Sequence, residues 1–98
     1  MKQRPPGTFS ESVKALGKMP VELNKRYRVV RGFTDIDGHQ HDVGDEFTLL
    51  AVWFNKFDDE VVLGISKGDG SEWALGLTWD NKEQKLVIEG IATYLANI

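Results

Sequence analysis

The sequence predicts a mainly β domain, a small curved antiparallel sheet or SH3-like barrel of four or five strands, with a short N-terminal helix and a C-terminal helix. Three observations carry this expectation. Apolar runs of strand length, rich in Val, Leu, Phe and Trp, fill residues 26–79. Turn-forming residues separate them, and Gly68-Asp-Gly-Ser71 is the strongest hairpin signal, because Asp-Gly supplies the positive φ of a tight turn. Apolar residues at helical spacing occur only near the two ends. With 98 residues the chain has room for one domain and one core.

Residues 1–7 read as a flexible tail, since Pro5-Pro6-Gly7 continues neither a helix nor a ladder. A short helix is expected over 8–17. There Thr8-Phe-Ser-Glu11 fits a capping box, Phe9, Val13 and Leu16 share a face, and Gly17 and Pro20 supply the stop. Two turns are too short to stand alone, so this helix must dock, by default on its own domain. The β meander spans 26–79. Its first strand covers 26–33, and a polar stretch over 33–45 follows. The longest apolar run, 46–56, alternates imperfectly, which suggests burial on both faces or a bulge. Phe57-Asp-Asp-Glu60 reads as a turn, 61–66 as the third strand and 72–79 as the fourth. In the last, Trp73, Leu75, Leu77 and Trp79 share one side. At the end, Asp80-Asn-Lys-Glu83 is a second capping pattern, and Val87, Ile91, Tyr94, Leu95 and Ile98 fall on one helical face. Leu86-Val87-Ile88 would also serve as a fifth strand, and Gly90 costs a helix interior about 1 kcal/mol. The helix over 81–96, bent at Gly90, is the favoured reading. The order of strand, long polar loop, Gly44-Asp45 and long strand resembles the layout of SH3-like barrels, a likeness that carries no function.

Several function classes drop out. There is no cysteine, which excludes disulfides, zinc thiolates and thiol catalysis. No run approaches the ~18 apolar residues of a membrane span, and the basic start leads into no apolar signal segment, so no membrane association and a cytoplasmic location are expected. No serine lies in a nucleophile motif, and Gly68-x-Gly70 opens no helix that would cradle phosphate. So short a chain also has little room for a substrate pocket. The expectation is no enzyme, no catalytic residues and no cofactor. Net charge is −3, unevenly placed: residues 1–31 hold eight bases and two acids, the remainder four bases and thirteen acids. A basic front on an acidic body is expected to fold back on that body. Nucleic acid is not an expected partner, because the body repels phosphate and no Arg/aromatic interleaving is present.

The stretch 33–45 concentrates chemistry, with Asp35, Asp37, Asp42, Asp45, His39 and His41 within thirteen residues. An EF-hand is excluded: in that frame the first ligand would be Phe33 and the bidentate glutamate Gly44. His39-x-His41 puts both imidazoles on one side of an extended segment, and Asp35, Asp37 or Asp42 would complete a transition-metal site. The plainer alternative is a loop in which Asp37-Gly38 turns and the aspartates accept backbone N–H bonds. Trp53, Phe54, Phe57, Trp73 and Trp79 are too many for one small core, so one or two should lie at the surface as contact residues.

The run from Tyr27 through Phe33, Asp35, Asp37, Gly38, His41 and Gly44 resembles a small bacterial family of domains of unknown function (type 3601), with the signature F-x-D-x-D-G-x-x-H-x-x-G-E. Phe57, Asp58, Asp59 and Glu83/Gln84 fit its later aromatic/acidic turn and E-x-Q. Asp45 stands where the family has Glu, and Phe47 where it has Trp. The resemblance covers about residues 25–95 and implies a soluble β-rich fold with a structured loop and no established activity. Together these readings lead to a non-enzymatic protein-binding or accessory, immunity-type module of the bacterial cytoplasm. Its candidate contact residues are Asp35, Asp37, His39, His41, Asp42, Trp53, Phe57, Asp58, Asp59 and Trp79, and a homodimer is a further option. The alternative is a metal- or small-ligand-binding domain centred on 35–41.

Overall fold

A computed structural model describes residues 1–10 and 19–98. Its sequence of elements is β1 (Lys2–Arg4), β2 (Lys25–Val29), β3 (Phe33–Thr34), β4 (Gln40–His41), β5 (Glu46–Asn55), β6 (Glu60–Ser66), β7 (Glu72–Thr78), α1 (Lys82–Glu89), α2 (Ile91–Tyr94) and β8 (Leu95–Asn97). The main sheet has six strands in the order β1-β7-β6-β5-β2-β8, every pair antiparallel. β3 and β4 form a separate hairpin. The sheet is open, with β1 and β8 at its edges, and does not close into the SH3-like barrel that the layout suggested.

Alternation decides which face is which. On β6, Val61, Leu63 and Ile65 face inward, as do Leu75 and Leu77 on β7. β5 keeps its inward set only because a bulge between Leu49 and Ala51 shifts the register, so that Leu49 and Val52 both reach the core. That bulge is why the run 46–56 failed to alternate. Val87, Ile88, Ile91 and Tyr94 from the two helices, with Phe33 and Leu95, cover the inner face.

The C-terminal region is helical as expected, with two adjustments. The N-cap is Asn81, whose Oδ1 accepts from Glu83 N and Gln84 N at 3.0 Å each. Beyond Gly90, α2 ends at Tyr94, and 95–97 pair as β8 with β2, Leu95 opposite Val29. Helical spacing extends to Ile98 in the sequence, but the unpaired edge of β2 offers ladder bonds that a final helical turn cannot supply.

The N-terminal expectations change more. Lys2–Arg4 is a strand on β7 (Lys2 opposite Ala74, Arg4 opposite Glu72), so residues 1–7 are not a loose tail. Pro5 and Pro6 end that strand without preventing it. Buried Glu72 then anchors the following turn, accepting from Gly7 N, Phe9 N (2.7 Å), Ser10 N (3.1 Å) and Ser10 Oγ (2.8 Å). Residues 8–10 belong to this turn; the rest of the helix expected over 8–17 lies outside the described residues. The basic front does fold back on the acidic body. The Met1 ammonium contacts Asp35 and Asp37, Lys2 lies 3.8 Å from Asp37, and Arg26 and Arg28 pair with Glu46.

Candidate functional site

The polar stretch 33–45 folds as a hairpin built on Asp35. Gly38, at φ 82°, makes the turn, and Gly38 N donates to Asp35 O while Asp35 N donates to His39 O, both at 3.0 Å. Asp35 is 1 % exposed, and both of its carboxylate oxygens are fully used. Oδ1 accepts from Asp37 N (2.9 Å) and His39 N (3.0 Å); Oδ2 meets His41 Nε2 and the Met1 ammonium, each at 2.9 Å. His41, 4 % exposed, stacks on Phe33 with 4.8 Å between centroids, and His39 lies edge-on to it.

Electrostatics follow from this packing. Burial works against the charge on Asp35, but hydrogen bonds from the Met1 ammonium, His41 and His39 N outweigh it and hold the carboxyl below its ordinary range. Burial pushes His41 below the ordinary imidazole value, only partly offset by Asp35. With its ring neutral, His41 donates Nε2–H to Asp35.

Two members of the metal alternative, Asp35 and His41, are already committed to one another. Asp35 has no lone pair left for a cation, His41 Nε2 is committed to Asp35, and the described residues contain no cluster of three or more His, Asp or Glu side chains able to hold a metal. Asp35 and His41 also present no surface for a partner. They brace the hairpin from within, and the hairpin meets β7 where Ile36 N donates to Gly76 O at 2.8 Å. Of the same group, Asp37, His39 and Asp42 are at the surface.

The remaining sequence-derived candidates gather elsewhere. Phe57, Asp58 and Asp59 form the β5–β6 turn, and Trp79 follows β7 at the same end of the sheet. Asn55 fixes the turn, its Nδ2 donating to Asp58 Oδ2 (2.9 Å) and its Oδ1 accepting from Phe57 N (3.2 Å). Asp59 O accepts from Trp79 N (2.9 Å) and Thr78 Oγ1 (3.1 Å), and Thr78 Oγ1 accepts from Asp80 N (3.1 Å). Two turns are thereby locked side by side. Phe57 is 99 % exposed and Trp79 38 %, among Asp58, Asp59 and Asp80.

Trp53 belongs to neither group. It lines a cleft of about 500 Å³ on the outer face of the sheet, with Phe9, Ile36, Val62, Ala74 and Gly76 as apolar lining and Lys2, Arg4, Asp37 and Glu60 as charged lining. So short a chain therefore does have room for a pocket. Composition hides it because it is made by side chains leaning over glycines. A Cβ on Gly64 would run into the Phe9 ring, and one on Gly76 would lie 2.7 Å from Ile36 Cγ2. Sequence reading missed Ile36, Asn55, Glu60 and Asp80. The available signal was the pair of glycines inside strands, which marks close approach by another segment.

The fold has a solved counterpart. An integron cassette protein from the mobile metagenome of Vibrio cholerae superposes with a TM-score of 0.74 at 23 % identity, over 81 % of this chain and 87 % of that one. At that identity the likeness is one of fold. No family model and no curated protein matches the chain. Among the described residues no helix is long and apolar enough to cross a membrane.

Proposed function

We propose that the protein is a non-enzymatic binding module that docks a partner protein on the rigid, acidic end of the sheet. Phe57 and Trp79 are its apolar anchors, and Asp58, Asp59 and Asp80 form its charged rim. One observation carries the reading. Phe57 is wholly exposed on a turn held by hydrogen bonds to Asn55, so its apolar surface is presented at little ordering cost on binding. The acids around it favour a basic partner surface and a salt-sensitive association rate. An accessory or immunity-type role fits this surface. Asp35 and His41 serve the scaffold in this reading, and Asp37, His39 and Asp42 lie on the hairpin, outside the docking end.

Immobilised full-length protein, challenged with lysate of the source organism at low and at high salt, tests the proposal. A specific protein should be retained at low salt by wild type and lost with Phe57→Ala/Trp79→Ala. Identical retention by wild type and the double variant, or no specific retention, would refute it.

A further inference from the structure

The outer-face cleft is chemically asymmetric, and cross-strand register shows how. Trp53, Val62 and Gly76 form one row across β5, β6 and β7; Asn55, Glu60 and Thr78 form the next. The Glu60 side chain leans back toward the first row, its carboxyl carbon 3.5 Å from where a Gly76 Cβ would be. Ile36 closes the same corner over Gly76. The Glu60 carboxylate and the Trp53 indole, which is 45 % exposed, thus line one cleft above an apolar floor.

The cleft lining carries two cations, Lys2 and Arg4, and two acids, Asp37 and Glu60. Among the described residues, no hydrogen bond or ion pair reaches the Glu60 carboxylate, although Asp37, Asp35, Glu46 and Glu72 all have partners. Burial, with Asp58 and Asp37 nearby, pushes the Glu60 carboxyl above its ordinary value, with Lys2 opposing. A carboxylate in that setting gains from an incoming cation. Lys2 is directed to Asp37, at 3.8 Å. Arg4, the other cation of the lining, stands opposite Glu72, four residues along β7 from Gly76 and therefore roughly 13 Å of strand away by register. A cation between an indole and a carboxylate is a favourable arrangement, since the ring face and the anion both attract it.

We infer that this cleft binds a small organic cation. The ligand is a primary amine with an apolar body, which lies over Val62 and Ala74 while its ammonium sits beside Trp53 and the Glu60 carboxylate. This site is separate from the docking end, and its ligand class follows from the cleft alone.

The test is an NMR titration of the full-length ¹⁵N-labelled protein with three probes of matched body: phenethylamine, 2-phenylethanol and 3-phenylpropionate. Phenethylamine should give saturable shifts at the Trp53, Val62 and Gly76 amides and at Trp53 Nε1–H. The alcohol and the acid should bind about tenfold more weakly or less, the scale expected when a cation–π contact and a carboxylate partner are lost together. Glu60→Gln, close to isosteric, should weaken phenethylamine by a similar factor with an otherwise native spectrum. Trp53→Leu should weaken it too, through loss of the ring face. Phe57→Ala should leave it unchanged, which separates this site from the docking end. Equal binding of the alcohol or the acid, shifts confined to other residues, absence of saturation in the millimolar range, or unchanged affinity in both cleft variants would overturn the assignment.

Discussion

Replacing Asp35 by Asn tests whether the hairpin is a structural device centred on one carboxylate. The side chain keeps its shape and one oxygen. The amide carbonyl of the variant can still accept from Asp37 N and His39 N, which meet Oδ1 of Asp35 at 2.9 and 3.0 Å. The other side of the group fails. An NH₂ replaces the oxygen that meets His41 Nε2 and the Met1 ammonium, each at 2.9 Å, so donors face donors. His41 can change tautomer and accept; the ammonium cannot. Breaking a buried ion pair by removing one partner costs about 3–5 kcal/mol. Asp37, 3.0 Å from the same ammonium, remains, and places the expected loss near the lower end, about 3 kcal/mol. That is a large share of the roughly 5–15 kcal/mol typical of a domain, and it corresponds to a fall in Tm of roughly 12–24 °C at this chain length. Urea unfolding at pH 7, followed by tryptophan fluorescence, measures it. Asp37→Asn is the control. Its carboxylate is 29 % exposed, so solvent screens the same ammonium contact and the loss should stay below about 1 kcal/mol. A loss below about 1 kcal/mol for Asp35→Asn, or equal losses for the two variants, would refute the argument.

Three further outcomes are expected. Gly64→Ala forces the Phe9 ring out of its place and should cost about 1–3 kcal/mol; in a Phe9→Ala background the same change should cost little, and a double-mutant cycle reads the difference. Stability should fall on acidification in two limbs, measured as urea midpoints against pH. Folding depresses the His41 pKa, so below about 6.5 the unfolded chain takes up a proton that the folded chain resists. Folding also depresses Glu72 and Asp35, the hydrogen bonds to each outweighing burial; their contributions are complete above the ordinary values of 4.5 and 3.8 and are lost as pH falls below them. His41→Gln should remove the upper limb and keep the lower one. Phe57→Ala should leave stability within about 0.5 kcal/mol of wild type, since a side chain with 99 % exposure contributes nothing to the core; a larger loss by thermal melting would mean that the turn is not the preformed element described above.

Local chemistry is what the sequence by itself determined. The strands of the meander, the Gly38 turn, the bulge in 46–56 and the helix start near Asn81 depend on side-chain alternation, on backbone angles that glycine allows and on a cap within three residues. Each is fixed by neighbours in the chain and was legible, except that the strand read over 26–33 ends at Val29 and the bulge was one of two readings of 46–56. Tertiary structure decided what distant segments do to one another. Lys2–Arg4 and Leu95–Asn97 are strands because β7 and β2 offer unpaired edges, a fact that no local pattern contains. Asp35 and His41, read as contact or ligand candidates beside a plainer loop in which the aspartates accept backbone N–H bonds, became the buried brace of a hairpin, and the Met1 ammonium arrives from 34 residues away in sequence to pair with Asp35. The cleft has the same origin. Gly64 and Gly76 showed only that something comes close; folding decided that Phe9 and Ile36 would be what comes close, and left Trp53 and Glu60 facing the space between them.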